Sequence, residues 1–136
     1  MQWNASPITA GFTAADAPWA PIGHNADPFN VAHQSGADGS LLDLYRSMIQ
    51  LRRERPELRH GEYSFFDVGS GVLAFERTHD SRRVLVLMSL SDTPQPVDGR
   101  LLSGKYTDLL SGDDVAVADR FVIAPGELSV LAPVTR

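Results

Sequence analysis

One stretch limits most strongly what this chain can fold into: Ser40 to Pro56, SLLDLYRSMIQLRRERP, the only long run with a helical period. At roughly 100° per residue, Leu41, Leu42, Leu44, Tyr45, Met48, Ile49 and Leu51 cover about half of a helix surface, and Asp43, Arg46, Ser47, Gln50, Arg53 and Glu54 take the other half. A stripe that broad calls for packing against more than one neighbour. The run opens on an S-x-x-D capping box: Ser40 accepts from the amide three residues on and Asp43 reaches back. Basic residues crowd its last turn, opposite the negative end of the helix dipole. Pro56 removes a backbone donor and pushes Arg55 out of the helical region, so the helix stops there. Arg46, Arg52, Arg53 and Arg55 read as a solvated helix end and not as a nucleic-acid footprint, in a chain of net charge -5.

The two flanks of this helix differ in character. Residues 1–39 are broken by Pro7, Pro18, Pro21 and Pro28 and by Gly11, Gly23, Gly36 and Gly39, which rules out a long helix or a central strand. Yet Trp3, Phe12, Trp19 and Phe29 recur through the segment, and a free linker rarely carries such rings. It reads as an irregular aromatic loop segment that lies against another surface. From Leu58 the period becomes two, with strands predicted at Glu62–Val68, Val72–Thr78, Arg83–Ser89, Gln95–Val97, Gly104–Asp108, Arg120–Ile123 and Leu128–Ala132. Gly69-Ser70-Gly71 and His79-Asp80-Ser81 mark hairpins, and Pro94-Gln95-Pro96 and Pro125-Gly126 mark turns or edges. The apolar run Val84–Met88 predicts a central strand covered on both faces.

The expected fold is therefore mainly β. A small antiparallel β-sandwich of Greek-key type, residues 58–136, follows the irregular segment 1–39 and one amphipathic α-helix, 40–57.

Composition closes several routes to chemistry. There is no cysteine, which excludes disulfides, thiolate metal sites and a cysteine nucleophile and fits a reducing cytoplasm. The sequence opens without a signal-peptide pattern, and no apolar run approaches the ~20 residues of a membrane span. No phosphate-binding glycine loop and no G-x-S-x-G nucleophile turn occurs, and Gly69-Ser70-Gly71 is a hairpin tip. His24, His33, His60 and His79 lack metal-ligand spacing; His24 with Asp27 and His33 near Asp38 are the nearest approaches to a hard-cation site. Asp113-Asp114 follows Ser111-Gly112 and reads as turn chemistry, not as a facing acid/base pair. No catalytic residue, metal ligand or cofactor emerges.

What remains is the aromatic, polar loop. Trp faces take sugar rings while amides bond the hydroxyls, and Trp3 and Trp19 with Gln2, Asn4 and Asn25 suit that chemistry. The other reading makes the rings, Trp19 and Phe12 above all, core against a further domain.

Several motifs share one pattern: Met1-Gln2-Trp3, Ala10-Gly11-Phe12-Thr13, Pro18-Trp19-Ala20-Pro21, Asn30-Val31-Ala32-His33-Gln34, Leu44-Tyr45-Arg46, Ile49-Gln50-Leu51-Arg52, Pro56-Glu57-Leu58 and Gly61-Glu62-Tyr63. In order and spacing they resemble the C-terminal part of bacterial α-glucosidases of the α-amylase superfamily, glycoside hydrolase family thirteen, in its oligo-1,6-glucosidase and trehalose-synthase branches. The resemblance implies that residues 1–39 follow the eighth strand of a (β/α)8 barrel beside the substrate pocket, with Gln2, Trp3 and Asn4 adjacent to it. Asn4 stands where many members carry Asp, and Thr9 where Asn is common.

The resemblance further implies that Ser40–Pro56 is the last barrel helix and that the sandwich follows it. The family's catalytic Asp, Glu and second Asp sit on strand ends upstream of this sequence, so the chain alone is expected to be inactive. Its expected partners are the (β/α)8 barrel, or a second copy through the helix and aromatic loop, and an oligosaccharide. A carbohydrate-binding module, or the separately encoded partner of a split glycosidase, is the alternative.

Overall fold

A computed structural model describes residues 2–134. They form two compact units, residues 1–49 and 50–136 as divided along the chain.

In the first unit, α1 spans Val31–Gln34. Asn30 caps it: its Oδ1 accepts from the His33 amide at 2.8 Å, while its Nδ2 donates to the carbonyls of Ala26 and Asp27, both at 2.8 Å. That buried amide side chain satisfies three backbone groups in a stretch with no ladder of its own. The predicted long helix is α2, Leu41–Glu54. The Ser40 half of the expected capping box is present, Ser40 Oγ accepting from Asp43 N at 3.2 Å. The other half differs. Asp43 accepts from Gly36 N at 2.8 Å and pairs with Arg46 at 3.1 Å, and Ser40 N donates to Ala37 O instead. A second cap comes from Gln34, whose Oε1 accepts from Leu42 N at 3.1 Å. No residue of α2 is buried, and Leu41, Leu44, Tyr45, Met48 and Ile49 stand exposed.

Pro56 does end α2, with Arg55 extended at φ -111°, but it also starts a short helix the sequence reading lacks, α3 at Pro56–His60. Proline serves both purposes, since its missing N–H is harmless in a first turn. Eight strands follow: β1 Glu62–Phe66, β2 Val72–His79, β3 Arg82–Ser89, β4 Gln95–Asp98, β5 Gly104–Asp108, β6 Asp114–Val117, β7 Arg120–Ile123 and β8 Leu128–Pro133. All described pairings are antiparallel, in a six-stranded sheet of order β1-β2-β3-β8-β5-β6 and a two-stranded sheet β4-β7. β8 returns to lie between β3 and β5. β1 stops at Phe66 rather than Val68, because Val68 turns inward and its carbonyl accepts from Asp98 N of β4 at 2.9 Å. The β2–β3 hairpin closes on His79↔Arg82 over Asp80-Ser81, with Asp80 at φ 53°. β6 was read as part of a turn: Asp113 does lie in the β5–β6 loop, but Asp114 opens the strand and pairs with Thr107. Pro96 sits in β4, where a two-stranded sheet leaves an edge free.

The apolar run of β3 is central as expected. Leu85 and Leu87 enter the core between the sheets with Ala74, Val97, Ile123 and Leu131. Val84 and Val86 face the other way and join Val130, against which Leu51 and Leu58 pack. Where α3 runs into β1, Arg77 is the junction. Its guanidinium donates to Gly61 O at 2.7 and 3.2 Å, to Leu58 O at 3.2 Å and to Tyr63 Oη at 2.9 Å. Arg52 Nη1 also donates to Leu58 O. Three of the described ionisable groups in this unit are perturbed, one of them Arg100, which its hydrogen bond to Asp98 pushes up. The hydrogen bond from Arg100 holds Asp98 down at about 2, and burial pushes the Tyr106 phenol up while its Oη donates to Leu102 O at 2.8 Å.

Candidate functional site

The segment that carries the candidate site is built by backbone bonds around Ala10. Ala10 O accepts from Trp3 N at 2.7 Å and from Asn4 N at 3.3 Å, and Ala10 N donates to Ser6 O at 3.0 Å. Ala10 is fully buried and takes φ 46°, a left-handed value uncommon outside glycine. Gly11 beside it has φ 74°, and a methyl there would meet Trp3 Cβ and Asn4 Nδ2, each at 2.9 Å. The close return of residues 10–11 over 3–4 therefore depends on a residue without a side chain. On the other side, Gln2 O accepts from Val31 N and Trp3 O from Ala32 N, both at 3.0 Å, which ties the segment to the first amides of α1.

Of the three residues singled out by sequence, Gln2 and Trp3 are fixed through their main chains and Asn4 through its side chain as well. Asn4 Oδ1 accepts from Ser6 N at 3.0 Å, an Asx turn. Gln2 Nε2 donates to Asn25 Oδ1 at 3.4 Å, so two of the amides named as sugar-bonding candidates meet. Gln2 also lines a cleft of about 840 Å³ with Phe12, Pro18, Trp19, Pro21 and Ile22. Trp3 and Asn4 do not line it. Trp19 is 102 % exposed, and Trp3, Phe12 and Phe29 are exposed too, so these rings have no apolar cover of their own. Met1, the first residue of the M-Q-W motif, lies outside the described residues.

Among the described residues, no three His, Asp or Glu side chains gather where a metal ion could sit, and neither His24 with Asp27 nor His33 with Asp38 forms such a group. Asp113 and Asp114 serve the backbone and a strand partner: Asp113 N donates to Ser111 Oγ at 3.2 Å and Asp114 Oδ1 bonds Thr107 Oγ1 at 3.2 Å. What the arrangement can do chemically is bind. It offers ring faces, amides and a cleft, and no described acid/base pair lines that cleft.

Asn30, Ala10 and Gln34 are the fixing residues that sequence reasoning missed. The spacing Asn30-x-x-His33 ahead of a short apolar run was the available signal for the Asn30 cap.

Residues 1–61 match the α-amylase family, catalytic domain. The chain resembles the C-terminal part of α-glucosidases of that superfamily. It is 36 % identical over 92 residues to a probable α-glucosidase of Rhizobium meliloti, a match covering 68 % of this chain and 16 % of the relative. It is 29 % identical over 127 residues to the glucan 1,6-α-glucosidase of Streptococcus pneumoniae, covering 92 % of this chain and 23 % of that one. Among solved structures, the trehalulose synthase MutB from Pseudomonas mesoacidophila MX-45 superposes with a TM-score of 0.79 at 27 % identity, over 96 % of this chain and 24 % of its own. The chain thus spans less than a quarter of the length of these relatives. No described helix is long and apolar enough to cross a membrane.

Proposed function

We propose that this chain is the non-catalytic C-terminal part of an α-glucosidase-like glycoside hydrolase acting on α-linked gluco-oligosaccharides. Residues 1–39 form one wall beside the substrate pocket, α2 is the last barrel helix, and the sandwich packs on and stabilises a catalytic barrel that carries the carboxylates. The observation that carries this reading is the uncovered apolar surface of a chain with this resemblance: Leu41, Leu44, Tyr45, Met48 and Ile49 of α2 and the rings of Trp3, Phe12, Trp19 and Phe29. An exposed apolar set of this size marks an interface in a soluble protein. The family match supports it further, since it covers residues 1–61 and stops where β1 starts. The cytoplasm is the proposed compartment, in keeping with the cysteine-free composition.

A second reading rests on the cleft beside Gln2 and Trp19: the chain binds gluco-oligosaccharides unaided, as a binding module. The two are separated by one pair of assays on the purified chain. With p-nitrophenyl α-glucoside no release above the buffer blank is expected; release that co-purifies with the chain overturns the non-catalytic assignment. Titration with maltose is expected to leave Trp fluorescence flat to millimolar sugar, and a saturable change establishes the binding module instead.

A further inference from the structure

The outer face of the six-stranded sheet is covered over β3 and β8 and left open at β1. Val84, Val86 and Val130 are buried on that face, with Leu51, Leu58, Phe75, Leu109, Leu110 and Leu128 packed against them. Register places Tyr63 beside Arg77 and Val84, and Phe65 beside Phe75 and Val86, so these side chains share the face. Phe75 is half-buried, but Tyr63 is 57 % exposed and Phe65 69 %. The three rings pack on one another, with centroids 5.6 to 5.9 Å apart. They form a joined apolar wedge along β1, which has one sheet neighbour, β2.

We infer that this wedge of Tyr63, Phe65 and Phe75 is the seat on the sandwich for the catalytic domain of the whole protein. The inference rests on the proposed function and adds the face through which the sandwich is held. Two observations favour this occupant. Leu51 and Leu58, which pack on the same face beside Phe75, belong to the residues that match the catalytic-domain family, so that domain's own segment already lies on this surface. The relatives also carry more than three quarters of their length beyond what this chain matches, ample to cover the remainder. A sugar fits less well. Arg77 lies 3.9 Å over the Tyr63 ring and donates to its hydroxyl, and Phe65 stacks on Tyr63 while Phe75 packs tilted against both.

The test uses a chimera in which this whole chain replaces the matching segment of the Rhizobium meliloti relative. Phe65→Glu places a charge on the wedge; Leu101→Glu, at a site 80 % exposed in the β4–β5 loop, is the control. In the chain alone, Phe65→Glu is expected to shift Tm by less than about 2 °C, since the ring is largely in water. In the chimera it should lower Tm by about 5 °C or more, with Leu101→Glu silent in both. A folded, active chimera in which Phe65→Glu shifts nothing overturns the seat and leaves the proposed function standing. A chimera that sediments as a dimer and dissociates on Phe65→Glu assigns the face to a second copy and also overturns it. A chimera without hydrolytic activity, where the relative's own segment restores it, overturns the proposed function and the seat with it.

Discussion

Gly61→Ala should destabilise the second unit by about 3 kcal/mol, seen as a lower urea midpoint with an unchanged slope and a Tm drop of roughly 10 °C. The reason is space and not backbone freedom, since Gly61 has φ -65°. A methyl there would lie 2.3 Å from Glu57 O and 3.0 Å from Thr78 O. Both are main-chain atoms, one in α3 and one in β2, so no rotamer change relieves the contact and the helix must move off the sheet. Gly36 is the contrast. It has φ 74° and nothing within 4 Å of an added Cβ, so Gly36→Ala should cost only the left-handed strain, about 1 kcal/mol. Equal losses for the two variants would contradict the close approach of α3 to β2.

Arg77→Met should cost about 2–4 kcal/mol in the same assay. Arg77 is 6 % exposed and keeps its charge inside because each of its three nitrogens donates. Methionine retains most of the packing but leaves Gly61 O without its two guanidinium donors, and an unpaired buried carbonyl costs about 1–3 kcal/mol. Leu58 O is less affected, because Arg52 also donates to it. Arg77→Lys should recover little, since one ammonium cannot replace a planar fork that reaches two carbonyls and a phenol. Full rescue by lysine would show that charge, not geometry, is what the junction needs.

The strands were legible wherever alternation and turn residues agreed. Val84–Met88 announced a central strand, and His79-Asp80-Ser81 announced its hairpin, although His79 itself belongs to β2. β6 escaped because Asp113-Asp114 supplies a strong turn signal, and only Val115-Ala116-Val117 remains to show the period. α3 escaped because proline stops one helix and starts another by the same missing N–H, and five residues carry too little periodicity to separate the two uses. Asp43 was assigned the wrong donor for a related reason. The capping box considers only residues within four positions, whereas Gly36 arrives from seven residues back.

The candidate site was less legible than the fold. Residues 1–39 have no period from which a register could be inferred, and only ring-and-amide chemistry and the family resemblance pointed to Gln2, Trp3 and Asn4. What fixes them is long-range: the left-handed Ala10, the methyl-free Gly11 and the amides of α1. The rings in this segment were expected to lie against a surface. In the chain they stand exposed, as do Leu41, Leu44, Tyr45, Met48 and Ile49 of α2.

The central claim is that these apolar faces belong to an interface with a catalytic barrel. Sedimentation of the purified chain over a range of concentrations, with a hydrophobic dye added, tests it most directly. The account predicts concentration-dependent self-association together with dye binding, as uncovered faces find one another. A monomer at every concentration that binds no dye would contradict it.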